Sequence, residues 1–441
     1  MSERWQTDRL GKYCYIKARI GWRGLSASEY TESGPFLIAG KHIESGVIDW
    51  NACDHISEFR YRESSEIALA EGDVIITKDG TIGRVARIDC LPGKATINGT
   101  MMLIRPERGI HYGYLYHVLN GAEFKKLIED KVSGSSIPHI FQRDMVALPI
   151  SFPPIEHQAK LAQVLDTLDT AIHETEAIIA KLKAVKQGLL QNLLTRGIDA
   201  NGELRPPQSE APQLYKESPL GWIPKEWDFS SLTSLGTDGL NNGVFKEPRR
   251  VGSGIALVNV ADLYRGDSVS LDDCERFAAT DAERSRYSAR QGDIFFTRSS
   301  LKLEGIAQTS FLAVETDSAV FECHVMRLRP NRVKVVPRFL KEWCVGIHAR
   351  KHFMAQAKQV TMTTISQDGI ASLDCPRPPL KEQLEAVRRM ESVDSRLNAE
   401  VLTAKKLSAE KRALMDDLLT GRVRVTPLLA QAARSGETAS A

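Results

Sequence analysis

One segment of this chain is written twice at a fixed offset of 225 residues, and that duplication limits the fold more than any other feature. Pro153-Pro154-Ile155-Glu156-His157-Gln158 is answered by Pro378-Pro379-Leu380-Lys381-Glu382-Gln383. The register holds without a gap to Leu189-Leu190-Gln191-Asn192-Leu193-Leu194-Thr195, answered by Leu414-Met415-Asp416-Asp417-Leu418-Leu419-Thr420. Solenoid units repeat every ~20–50 residues, so this period marks a whole domain followed by a helix, present in two copies. Such a chain presents two similar surfaces at a set separation.

The helical part carries a seam. Positions 161, 165, 168, 172, 175, 179, 182, 186, 189 and 193 alternate steps of four and three, and all are apolar except Thr175 and Lys186. The second copy breaks the pattern at the same places, Glu400 and Lys411. A period of 3.5 residues sustained this long is a coiled-coil signal. Proline pairs stand just before each helix, where proline is tolerated. The two helices are expected to pair antiparallel, with the domains at opposite ends.

The domains read as mixed α/β. Val74 to Thr77 reads as a strand, Asp79-Gly80 as a tight turn, and Ile82 to Ile88 as the returning strand of a hairpin. Residues 112–130 have the spacing of one amphipathic helix. Gly72-Asp73, Thr77-Lys78 and Arg105-Pro106 recur as Gly292-Asp293, Thr297-Arg298 and Arg329-Pro330. The glycine–aspartate pairs read as turns entering a strand. The expected layout is a first domain over 1–152, its helix over 153–197, and an exposed linker over 198–218. A second domain over 219–377, its helix over 378–422 and a disordered tail over 423–441 complete it. The fold class is α/β (α+β): two pseudo-repeated domains joined by two long antiparallel coiled-coil helices.

Catalytic constellations are missing. The chain has no Walker loop, and Gly252-Ser253-Gly254 lacks the third glycine of a dinucleotide fingerprint. His173-Glu174 starts a zinc-protease pattern, but position 177 is alanine. Glu123-Phe124-Lys125 has no upstream Pro-Asp and reads as a surface charge pair. The seven cysteines include no Cys-x-x-Cys pair, and Cys53-Asp54-His55 has no second ligand pair. The residues point to a binding protein, not an enzyme, with no catalytic group, metal or cofactor of its own. No apolar run approaches the ~18 residues of a membrane span, and Met1-Ser2-Glu3-Arg4-Trp5 does not open a secretion signal, so a cytoplasmic location is expected.

The net charge of +2 announces no polyanion. Locally, residues 319–360 carry nine lysines and arginines against Glu322 and Glu342. A stretch of that kind favours phosphate contact; a solvated helix face explains it about as well.

Two diverged α/β domains, each followed by a Pro-Pro-x-x-x-Gln helix ending in Leu-Leu-Thr or its copy, resemble the specificity subunit of type I restriction–modification systems. Gly221-Trp222-Ile223-Pro224 looks like the opening of that family's second target-recognition domain. Residues 73–83 with 133–144 look like a common subtype of its first. The resemblance implies a bipartite, asymmetric site on double-stranded DNA, each half read by one domain, with the helices setting the gap. It also implies two modification (methyltransferase) subunits and restriction (translocase and endonuclease) subunits as partners. S-adenosylmethionine, ATP and magnesium would sit on those partners. Base edges are read by polar side chains on exposed loops. The candidates are Lys78, Asp79, Thr81, Ser135, Ser136, His139 and Gln142 in the first domain, and Arg298, Ser299, Ser300, Lys302, Gln359, Thr361 and Thr363 in the second. Arg249, Arg250, Arg350 and Lys351 are candidates for phosphate contact. The alternative is a non-catalytic coiled-coil scaffold carrying two protein-binding domains.

Overall fold

One strand order, built twice, organises the computed structural model, which describes residues 5–19, 25–133, 138–359 and 361–423. The chain divides into two units: Met1–Ala177 with Val401–Ala441, and Ile178–Glu400. In the first, an antiparallel four-stranded sheet runs Cys14–Ala18, Met101–Pro106, Val74–Thr77, Val85–Arg87. In the second it runs Gly236–Asn242, Val325–Pro330, Ile294–Thr297, Thr309–Phe311. Each unit adds a three-stranded sheet with one parallel pair, Asp54–Ile56/Tyr30–Ile38/Ala95–Ile97 and Glu275–Phe277/Val251–Val258/Ala319–Phe321. Gln6–Arg9 pairs with Pro149–Phe152, as Asp228–Ser231 pairs with Asp374–Arg377.

Even the irregularities recur. The central strand of each three-stranded sheet bulges, between Thr31 and Phe36 and between Val251 and Ile255. Each bulge holds a glycine with positive φ, Gly34 at +132° and Gly254 at +97°. A Cβ there would lie 2.5 Å from the Ile56 carbonyl oxygen, or 2.3 Å from that of Phe277, so both positions need glycine.

The glycine–aspartate pairs are structural. Asp73 accepts from the Ala70 amide at 2.7 Å and takes a two-pronged grip from Arg105, with both contacts at 2.7 Å. Asp293 repeats this with Arg290 and Arg329, all at 2.8 Å. The Pro-Pro-x-x-x-Gln motif has an equally plain reason. Buried Gln158 donates to the Pro153 carbonyl (2.9 Å) and accepts from the His111 amide (2.9 Å). Gln383 does the same with Pro378 (2.7 Å) and Val336 (2.8 Å). One side chain thus ties the start of a long helix to the start of a short one, satisfying backbone groups that burial would otherwise orphan.

The long helices span Ile155–Thr195 and Leu380–Leu418. No seam position on either is exposed. In the first unit Leu161 and Leu165 share a core with Met415 and Leu418, and in the second Leu193 packs with Ala386 and Met390. Numbers rise on one helix as they fall on the other, so the pairing within each unit is antiparallel. The seam's lysines are not defects: Lys186 pairs with Asp394 at 2.5 Å, and Lys411 pairs with Asp169. A polar pair at such a position fixes register.

Four expectations need correction. The unit boundaries fall midway along the long helices, not at their starts. Each unit uses the first half of one helix and the second half of the other to close its core. Gly197, ending the first long helix, sits on Trp227, while Gly421, after the second, sits on Trp5. Residues 198–218 are not an exposed linker. Ile198, Ala211 and Tyr215 are buried, because Glu382 collects the Ile198 amide (2.7 Å), Arg205 (2.6 Å) and the Trp227 indole (3.1 Å). The helix expected over 112–130 is two, Tyr112–Val118 and Ala122–Ser133, broken at Asn120-Gly121. The returning strand is also shorter, Val85–Arg87. Within the tail, residues 424–441 lie outside the described residues.

Candidate nucleic-acid interface

Each four-stranded sheet sends a strand into a loop at the same kind of threonine. Buried Thr77 donates to the Thr81 carbonyl (2.6 Å) and accepts from the Arg84 amide (2.9 Å). Thr297 donates to the Gly305 carbonyl (3.2 Å) and accepts from the Gln308 amide (2.9 Å). The next residue is stitched to two further segments. The Lys78 amide donates to Thr100 and its carbonyl accepts from Ile140; Arg298 does so with His324 and Ile365. The polar segments that were far apart in sequence therefore meet at one tip in each unit.

The first tip is compact and internally paired. Lys78 contacts Asp79 at 2.7 Å, and Asp79 also pairs with His139. Burial opposes ionisation of Asp79, but the hydrogen bonds from Lys78 and His139 outweigh it and hold the carboxyl below its ordinary value. The Lys78 side chain is only 12% exposed. Thr81 and Gln142 are exposed, Gln142 at the start of the helix Gln142–Ala147. Ser135 and Ser136 lie outside the described residues.

The second tip is a small sheet. Ser299–Ser300 pairs with Thr363–Thr364, which pairs with Lys358–Gln359. Four candidates, Ser299, Ser300, Gln359 and Thr363, thus stand on one platform, with Arg298, Lys302 and Thr361 exposed beside it. Side chains alternate across a strand. Ser300 Oγ accepts from the Lys302 amide (3.2 Å) and Thr363 is 5% exposed, so both face inward. The outward row is Ser299, Thr364 and Lys358. Thr364 and Lys358 were not among the sequence candidates, although period-two alternation would have found them. Gln367 was missed too. It answers Gln142 at the same 225-residue offset, had that register been carried back past the proline pairs.

The phosphate candidates divide. Arg249 and Lys351 are exposed. Arg250 is held by Glu283 (3.0 Å) and lies over the Phe277 ring (4.5 Å). Arg350 donates to the carbonyls of Ile306 (2.6 Å) and Glu304 (2.8 Å), bracing the base of the second loop. The basic stretch over 319–360 is largely consumed inside the unit, which corrects its reading as a phosphate surface. Arg327 pairs with Asp238, and Arg329 with Asp293. Arg338 contacts Glu342 (2.7 Å) and Asp394 (3.0 Å), while Lys341 pairs with Asp267. Four of those partners lie outside the segment, so counting charge along the chain misled.

In the first unit the matching helix turn holds buried His117 between Asp166 (2.8 Å) and Asp169 (4.0 Å). Arg87 and Lys411 already pair with those carboxylates, so burial prevails and pushes the His117 pKa down. Cys53 of the Cys53-Asp54-His55 triplet is buried, its thiol directed at the Asp49 carbonyl.

Comparison with known proteins adds the decisive observation. The family described as Type I restriction modification DNA specificity domain matches residues 5–184. The chain is 24% identical over 366 residues to the EcoKI type I restriction enzyme specificity subunit of Escherichia coli K12, covering 81% of this chain and 75% of that one. It is 21% identical to the MjaVIII specificity subunit of Methanocaldococcus jannaschii, covering 97% and 94%. Residues 5–184 thus match the specificity-domain model, and over nearly its whole length the chain is similar to type I specificity subunits. The fold agrees: the type I restriction-modification S subunit from M. genitalium superposes with a TM-score of 0.55 over 95% of this chain and 96% of that one, at 13% identity. The two chains thus share a fold while little of their sequence coincides. Among the described residues no helix is long and apolar enough to cross a membrane.

Proposed function

We propose that this chain is the DNA sequence-specificity subunit of a type I restriction–modification complex. It binds a bipartite, asymmetric duplex site in the cytoplasm, one half at each loop tip. The observation that carries this reading is the pairing of identical clamps with different tips. Thr77 and Thr297 close their loops alike, and the side chains then presented differ in length, charge and polarity. A protein that reads two unlike sequences with one scaffold needs that division of labour. Exposed Thr81 and Gln142 in one unit, and the outward row Ser299, Thr364 and Lys358 in the other, have the donors and acceptors that base edges require.

The chain itself performs no chemistry in this reading. Two modification subunits dock on the polar faces of the long helices and bring S-adenosylmethionine; restriction subunits bring ATP and magnesium. Methylation sequencing of host DNA, with and without this gene, tests the proposal. Loss of N6-methyladenine at one bipartite asymmetric motif is expected. An unchanged methylome with the partner genes expressed would overturn it.

A further inference from the structure

The end of the second tip's platform is not polar. Its last pair is Ser300–Thr363, and Leu301 and Met362 are the bend residues directly beyond that pair on the two strands. Leu301 is 87% exposed and Met362 44%. A single exposed leucine is unremarkable on a protein surface. Two flexible, exposed apolar side chains at the end of a narrow strand platform, flanked in sequence by Arg298, Lys302 and Lys358, are a patterned surface. Among the described residues of the first unit's shorter loop there is no counterpart. There Gly80 and Thr81 form the tip, and Ile82 packs against the core.

Resting on the function proposed above, we infer that Leu301 and Met362 read thymine in the half-site of the second unit through its C5-methyl group. The major groove admits a β-ribbon, and along its floor the thymine methyl is the apolar feature among hydrogen-bonding groups. A platform of hydroxyls with an apolar end matches that pattern. The flanking cations suit the phosphates on either side. Burying one methyl contributes about fourfold in affinity, and leucine is well shaped for the contact.

The test uses the full chain assembled with its modification subunits. Methylation sequencing defines the motif, and its absence would count against the proposed function, not against this inference. Duplexes are then made with deoxyuridine replacing each thymine in turn, which removes only the methyl. Wild-type protein is expected to lose about fourfold in affinity at one or two positions, all in one half-site. Leu301→Ser and Met362→Ser, both at exposed positions that leave the core intact, should abolish that penalty and relax the motif at those same positions. Equal binding to thymine and uracil duplexes throughout would overturn the inference. So would a Leu301→Ser protein that keeps the full uracil penalty, or one that weakens thymine and uracil duplexes alike.

Discussion

Thr77 and Thr297 make the same two hydrogen bonds, yet the first loop closes seven residues on and the second eleven. Much below the threonine is shared: sheet order, bulge glycines, the Asp–Arg grip and the glutamine tie. Everything above it differs. The short loop tightens around a Lys78–Asp79–His139 cluster, and the long one opens into a strand platform with an apolar end. The lesson is that a buried clamp isolates the tip from the core. Substitutions at the tip then cost little stability, and a duplicated domain can diverge in what it reads without refolding.

The units also differ beneath the clamp, and that difference should give the largest effect. Glu382 gathers Arg205, Trp227 and the Ile198 amide in the second unit. Its counterpart in the first unit is His157, which brings no carboxylate to Trp5. Glu382→Ala removes the nearest carboxylate from buried Arg205 and leaves only Glu226, at 3.7 Å, a change that costs up to ~3–5 kcal/mol in comparable sites. Denaturation followed by hydrogen exchange should show protection lost around residues 198–235, with the first unit unchanged. Equal loss in both units would break the comparison.

The clamps themselves come next. Thr297→Val keeps the shape but leaves the Gln308 amide unpaired in a buried setting, a cost of ~1–3 kcal/mol. Thr77→Val does the same to the Arg84 amide. Each should blur the methylation motif in one half-site only, and a different one for each variant. If both variants blurred the same half, the tips would not be independent readers.

How far the sequence revealed this depends on whether a signal was local. The repeat, the seam and the paired turns were legible, because period and offset survive divergence. Even the seam's breaks at Lys186 and Lys411 were visible, though not that Asp394 and Asp169 answer them, since those partners come from the other helix. The basic stretch misled for the same reason: Asp238, Asp267, Asp293 and Asp394 neutralise it from elsewhere in the chain. The linker misled because its Pro- and Gly-rich composition says nothing of a carboxylate 184 residues away that fixes Ile198. At the tip, sequence found the right segments but not which face of each strand points outward. That needed the register, which put Ser300 and Thr363 inside and Ser299 and Thr364 outside.

Acid should separate the units more gently. Burial lowers the pKa of His117, as it does for His42 and His111, all in the first unit. These rings fold neutral. The unfolded chain binds protons more readily, so their contribution is complete above the ordinary value of 6.5 and is lost as pH falls below it. In the second unit the corresponding helix turn carries Arg338, Lys341 and Glu342, with no histidine among them. The melting temperature should therefore drop between about pH 7.5 and 5.5 through the first unit. His117→Gln should narrow that drop, and an unchanged drop would assign the sensitivity elsewhere.

The smallest effect distinguishes two neighbours in sequence. Arg350 and Lys351 both looked like phosphate ligands, but only Lys351 points to solvent; Arg350 donates to carbonyls beneath the second loop. A lysine that neutralises one phosphate releases one counterion's worth of salt dependence, a slope of ~0.9 in log K against log salt. Lys351→Ala should therefore weaken binding equally on cognate and altered sites and flatten the slope by about one. Arg350→Ala should leave the slope in place while loosening discrimination in the second half-site, because its loss frees the loop that carries Ser299 and Leu301. The opposite assignment of slope and specificity would mean that Arg350 leaves its carbonyls when DNA binds. The Arg350 brace beneath the second loop would then be a feature of the free protein alone.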